Sequence, residues 1–106
     1  MDEETYAYGN LVFEWDRVKA EENARKHGVT FEQAASTWGD NHAISRGDDA
    51  HSWNEDRTLR LALATTSDLL LVVHCFRKES GRIRIISARK ATKHEEALYA
   101  ELRGMA

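Results

Sequence analysis

Lys26, His27, Glu55 and Arg57, with Arg82, Arg84 and Arg89 further on, are the side chains whose types could do chemistry together in this sequence. Acid–base cleavage of RNA needs no cofactor: a base takes the 2′-hydroxyl proton, cations hold the phosphate, and an acid protonates the leaving 5′-oxygen. Glu55 or a histidine could be the base, the arginines the clamp, and His27 or Lys26 the acid. Arginine suits the clamp because its planar fork binds phosphate bidentately. Each residue also has a plainer explanation. His27 near a helix C-terminus could be a core histidine favoured by the helix dipole, and the arginines could be a solvated sheet face paired to carboxylates.

These residues must be positioned by the elements around them. The stretch Arg82-Ile83-Arg84-Ile85-Ile86-Ser87-Ala88-Arg89 is dense in β-branched residues and reads as a strand. At period two, Arg82, Arg84, Ile86 and Ala88 fall on one face, with Ile83, Ile85 and Ser87 on the other. Thr92 with Glu95 forms a capping box that opens a last helix from Lys93 to about Arg103, expected to bury Leu98, Leu102 and Met105. Asp16 is expected to cap a first helix ending at His27, with Gly28 as its left-handed stop. On that helix Asn23 and His27 share an alanine-lined face, so both are expected to be buried against a sheet. Thr30 and Gln33 box a second helix with the apolar stripe Phe31, Ala34, Ala35 and Trp38. The two helices outline a helix-turn-helix, but the second is too apolar and acidic to read bases.

Short strands are expected at 11–15, 42–46, 57–64 and 69–76, the last buried on both faces. Short turns between the later strands imply an antiparallel meander. The class is α+β in a single domain spanning residues 1–106, with two N-terminal helices and a C-terminal helix. Residues 1–10 are expected to be a flexible tail.

Composition bounds the rest. The chain has 106 residues and a formal net charge of −3, so any basic site is local. It has one cysteine, Cys75, inside an apolar run, and no proline. An acidic start and the lack of a long apolar run point to a cytoplasmic protein away from membranes. The five histidines show no metal-ligand spacing, and no phosphate loop or serine elbow occurs, so neither metal nor cofactor is expected.

Three stretches in order carry a resemblance. Phe13-Glu14-Trp15-Asp16, Lys19-Ala20, Asn23, Lys26-His27-Gly28-Val29, Phe31 and Ala34 come first. Asp49, His51-Ser52, Glu55 and Arg57 follow, and then Leu70 to Val73 and Arg82 to Arg89 with Ala91-Thr92, Glu95 and Tyr99. Together they resemble the BrnT family, toxins of BrnT/BrnA type II toxin–antitoxin modules. One departure is Arg17, where the family often has proline. The resemblance implies a compact RelE-like fold, an endoribonuclease that inhibits translation by cutting RNA, and a BrnA-like ribbon-helix-helix antitoxin as partner. Operator DNA would be met only through that antitoxin. The residues it points to are Lys26, His27, Glu55, Arg57, Arg84 and Arg89; His27, Glu55, Arg57, Arg84 and Arg89 are expected to be catalytic, and Lys26, His51 and Arg82 to hold RNA. The alternative is a catalytically weak or inactive relative that serves mainly as co-repressor of a ribbon-helix-helix DNA-binding protein.

Overall fold

The computed structural model describes residues 2–48 and 56–104. Its chain order is β1 (Glu3–Tyr8), β2 (Leu11–Asp16), α1 (Arg17–His27), α2 (Phe31–Ser36) with a 3₁₀ turn over Thr37–Gly39, β3 (Ile44–Gly47), β4 (Thr58–Leu63), β5 (Leu69–Arg77), β6 (Arg82–Lys90) and α3 (Lys93–Leu102). The class is α+β, and the described strands form one six-stranded sheet in the order β1-β2-β6-β5-β4-β3.

Three expectations are corrected at the level of topology. Residues 3–8 are no tail: they form β1 and pair with β2 from Glu3↔Asp16 to Tyr8↔Leu11. Alternation explains why, since Glu4 bonds the Trp15 indole and Tyr6 lies 5.8 Å from the Trp15 ring. A β-hairpin therefore precedes the two helices. The sheet is also mixed, because β2 meets β6 in parallel through Phe13↔Ile83 and Glu14↔Arg84. The meander expected for the later strands is present, with β3 to β6 antiparallel in sequence.

The helix signals are used as written. Asp16 accepts from the Val18 and Lys19 amides, and Gly28 closes α1 at φ 67°. Thr30 and Gln33 exchange both bonds of a capping box, as do Thr92 and Glu95. The core lies between one sheet face and α1 with α2: Phe13, Trp15, Val29, Phe31, Ala34, Ala35, Leu70, Val72, Ile85 and Ala88 are buried there. Trp38 extends it, edge-on to Phe13 and His74, with the Arg60 guanidinium 4.3 Å above its ring.

The opposite face is only partly covered. There α3 borders a groove of about 230 Å³ walled by Ile44, Leu59, Leu61, Leu71 and Leu98. β5 is accordingly not buried on both faces; its burial alternates, with Leu70 and Val72 inside and Leu69, Leu71 and Val73 half-buried. α3 is also rotated from its expected facing. Tyr99 is buried and its hydroxyl bonds Asp40, whereas Leu98 and Leu102 are 39% and 62% exposed. The Tyr99 hydroxyl and the Glu95 box fix the helix more firmly than its leucines do. Met105 lies outside the described residues.

Candidate active site

Strand β6 is the spine of the site, and it carries one irregularity. Val73 pairs with Ser87 but His74 pairs with Ile85, so Ile86 is an extra residue, a β-bulge. The bulge corrects the face assignment: Ile83 and Ile85 point into the helix-side core and, past the bulge, so does Ala88. Arg82, Arg84 and Arg89 therefore share the opposite face, although 84 and 89 differ in parity.

Beyond Arg84, β2 leaves β6 and turns into α1, so among the described residues this edge of β6 has no strand beside it. A side chain takes the strand's place. The Asn23 amide donates to the Ala88 carbonyl at 2.8 Å and accepts from the Ala88 amide at 3.2 Å, reproducing a ladder pair. Its second N–H reaches the Val29 carbonyl at 3.0 Å, tying the strand edge to the α1–α2 turn. Asn23 is 7% exposed, as expected; His27 is only half-buried, because it lines a cleft open to solvent at the end of α1.

Between α1 and this edge runs a cleft of about 290 Å³ lined by Lys19, Glu22, Asn23, Lys26, His27, Ile86 and Ser87. Two lysines and a histidine face one carboxylate there, so the cleft is suited to an anion. Lys19 was missed as a candidate in the sequence, although its spacing of seven from Lys26 places both on one helix face.

Across the sheet, Arg84 is held by two carboxylates. Its guanidinium meets Glu3 at 2.5 and 3.1 Å and Glu14 at 3.0 Å. Glu14 also attracts Arg77 and Arg82, each at 3.9 Å. The Glu3 hydrogen bonds, followed by Glu14, keep Arg84 more firmly protonated than a free guanidinium, and Arg84 in turn lowers the Glu3 carboxyl pKa. Arg57 comes to the same end of the sheet, since it precedes Thr58, which pairs with His74, next to the Cys75 that pairs with Arg84.

Arg89 is engaged elsewhere. It grips Glu95 through two bonds of 2.9 and 3.0 Å, in the capping box of α3. That contact pulls the Glu95 carboxyl down to about 2. Five residues of strand, roughly 13–16 Å, separate Arg89 from Arg84. The structure thus brings Lys26 and His27 together, and Arg57, Arg82 and Arg84 to one sheet end, with Arg89 pinned beneath α3. Glu55 and His51 lie outside the described residues. Among the described residues, no group of three or more His, Cys, Asp or Glu side chains is placed to hold a metal ion, and no helix is long and apolar enough to cross a membrane.

The family model described as the ribonuclease toxin BrnT of type II toxin–antitoxin systems matches residues 15–95, which span α1, the cleft and all of β6. The chain belongs to the BrnT family. No match was found among curated proteins. Membership supplies a ribonuclease toxin and an antitoxin partner as the setting for the cleft. The matched segment contains every candidate residue named from the sequence; Glu3, which contacts Arg84, precedes it.

Proposed function

We propose that this BrnT chain is a metal-independent endoribonuclease on a RelE-like scaffold, which arrests translation by cutting RNA in the cytoplasm. The observation that carries the reading is the cationic cleft beside the open edge of β6, where Lys19, Lys26 and His27 converge on Ile86 and Ser87. A phosphodiester crossing the open edge of β6 would meet these groups first, and Arg84, whose backbone is two residues or about 7 Å along the strand from Ile86, from the outer face. A base, Glu55 or a histidine, removes the 2′-hydroxyl proton; O2′ attacks phosphorus; the P–O5′ bond breaks; His27 or Lys26 gives its proton to O5′. The products are a 2′,3′-cyclic phosphate and a 5′-hydroxyl. Arg57 and Arg84 stabilise the charge that develops on phosphorus, and Lys26, His51 and Arg82 hold the strand. Arg89 contributes by fixing α3 through Glu95. A BrnA-like ribbon-helix-helix antitoxin covers this surface and carries the complex to operator DNA.

The test is cleavage of RNA by the purified chain in excess chelator, with end-group analysis, beside growth arrest with and without the neighbouring reading frame. Cyclic-phosphate ends and a loss of about 10²–10³ in rate for His27→Ala and Arg84→Ala, with folding intact, are the expected results. A folded parent that cuts no RNA and slows no growth overturns the enzyme and leaves the co-repressor reading.

A further inference from the structure

Glu3 occupies the fork of Arg84 in the way a phosphate oxygen pair would. Its two carboxylate oxygens meet the two terminal guanidinium nitrogens, at 2.5 and 3.1 Å, in the bidentate arrangement that arginine offers to carboxylate and phosphate alike. Glu14 takes a further bond from the same guanidinium. A nucleic-acid phosphate approaching this face finds the arginine already occupied.

The two carboxylates differ in kind. Glu14 stands on β2, inside the sheet, with a side chain 16% exposed and three arginines around it. It orients the cluster and is shielded from exchange with solvent. Glu3 stands on the edge strand at the start of the chain, with a side chain 46% exposed. An edge strand is paired on one side only, and a half-exposed carboxylate can leave by a rotamer change alone. With Glu3 withdrawn, Arg84 loses its bidentate partner and keeps its bond to Glu14, so one edge of its fork is open to an anion.

The Glu3–Arg84 pair is not what holds β1 in place. β1 is fixed by its register with β2, by the bond between Glu4 and the Trp15 indole, by Tyr6 against Trp15, and by the Arg17 amide bonded to the Asp2 carbonyl. An ion pair this exposed adds little to stability. Its consequence falls on Arg84 instead.

We infer that Glu3 is an intramolecular gate: strand β1 seats a carboxylate on Arg84 as a surrogate for the RNA phosphate, so that RNA must displace it to engage the outer face of β6. This rests on the reading of Arg84 as a phosphate-binding group and adds a control on it that the chain carries itself. Glu4, next in sequence, points to the other face and bonds Trp15 and Arg17, so it provides a charge-matched comparison.

The experiment measures binding of a short fluorescent 2′-O-methyl RNA, which lacks the attacking hydroxyl, to the parent chain and to Glu3→Gln, Glu4→Gln, Arg84→Ala and the Glu3→Gln/Arg84→Ala pair. Cleavage of unmodified RNA and thermal melts are recorded for the same proteins. Displacing an exposed ion pair predicts about five-fold tighter binding for Glu3→Gln. Glu4→Gln keeps an oxygen for the Trp15 indole and leaves the Arg84 fork occupied, so it is expected to stay within about two-fold of the parent. In the double variant the gain is expected to vanish. Equal affinity of Glu3→Gln and parent, an equal gain in Glu4→Gln, or a gain that survives Arg84→Ala overturns the gate. The two readings separate cleanly. A gain in binding with no cleavage by any variant keeps the gate and removes the ribonuclease. Cleavage lost in Arg84→Ala but unchanged, like binding, in Glu3→Gln keeps the ribonuclease and removes the gate.

Discussion

Replacing Asn23 by alanine removes the side chain that stands in for a missing strand. Three hydrogen bonds go at once: to the Val29 carbonyl, to the Ala88 carbonyl and from the Ala88 amide. Each contributes about 1 kcal/mol net, and a buried backbone group left without a partner costs about 1–3 kcal/mol. The cleft lets water reach some of these groups, so the sum stays near the lower end, about 3 kcal/mol. That is a large fraction of the 5–15 kcal/mol or so that stabilises a domain of this kind. At about 4–8 °C per kcal/mol, the melting temperature should fall by roughly 12–24 °C. Urea unfolding of parent and variant measures the loss directly, and hydrogen exchange at the Ala88 amide locates it. Asn23→Asp keeps the shape but sets a carboxylate against two carbonyl oxygens, so it should be the more damaging change. A loss under about 1 kcal/mol, with the Ala88 amide still protected, would refute the strand-edge role.

Further outcomes follow from other contacts. Arg89→Ala should loosen α3 and cost about 1 kcal/mol, the modest figure its partial exposure allows, seen as faster exchange of α3 amides while β6 stays protected. The Glu95 carboxyl sits at about 2, below its ordinary value of 4.5, because of Arg89 and then Thr92. Its contribution is complete above the ordinary value and is lost as pH falls from there towards 2; Glu95→Gln should flatten that part of a pH–stability curve. His74, lowered to about 4 by burial and then by Arg60, acts in a higher window. The unfolded chain binds its proton first, so stability should fall between about pH 6.5 and 4, and His74→Phe should remove that slope.

Much of this was legible in the sequence because it is local. Caps at Asp16, Thr30 and Thr92 and the stop at Gly28 are short-range chemistry, and the structure uses each of them. The burial of Asn23 was also readable, since a polar residue between alanines on a helix face has few other places to go. The misses are non-local or turn on a single residue. An acidic start disguised β1, whose partner side chains Trp15 and Phe13 only become visible once the hairpin is drawn. One bulge at Ile86 reversed the parity of the arginine strand, and period-two counting has no means of detecting it. In α3, two leucines outweighed Tyr99 on a hydropathy count, yet one hydroxyl bond to Asp40 set the rotation. Of the site itself, the cleft residues Lys26 and His27 were visible, whereas the carboxylates holding Arg84 and Arg89 were not.

The two-pair seam between β2 and β6 has a consequence for the order of events during synthesis. The N-terminal hairpin and α1 leave the ribosome early, but the strand they lean on is not made until residues 82–90 follow. Asn23 waits 65 residues for Ala88, and the groove between α1 and β6 does not exist before then. Pairings this distant in sequence form late and slowly. Chains not yet extended to residue 90 therefore hold Lys26 and His27 with no wall opposite them, and the cleft is completed only when β6 takes its place in the sheet.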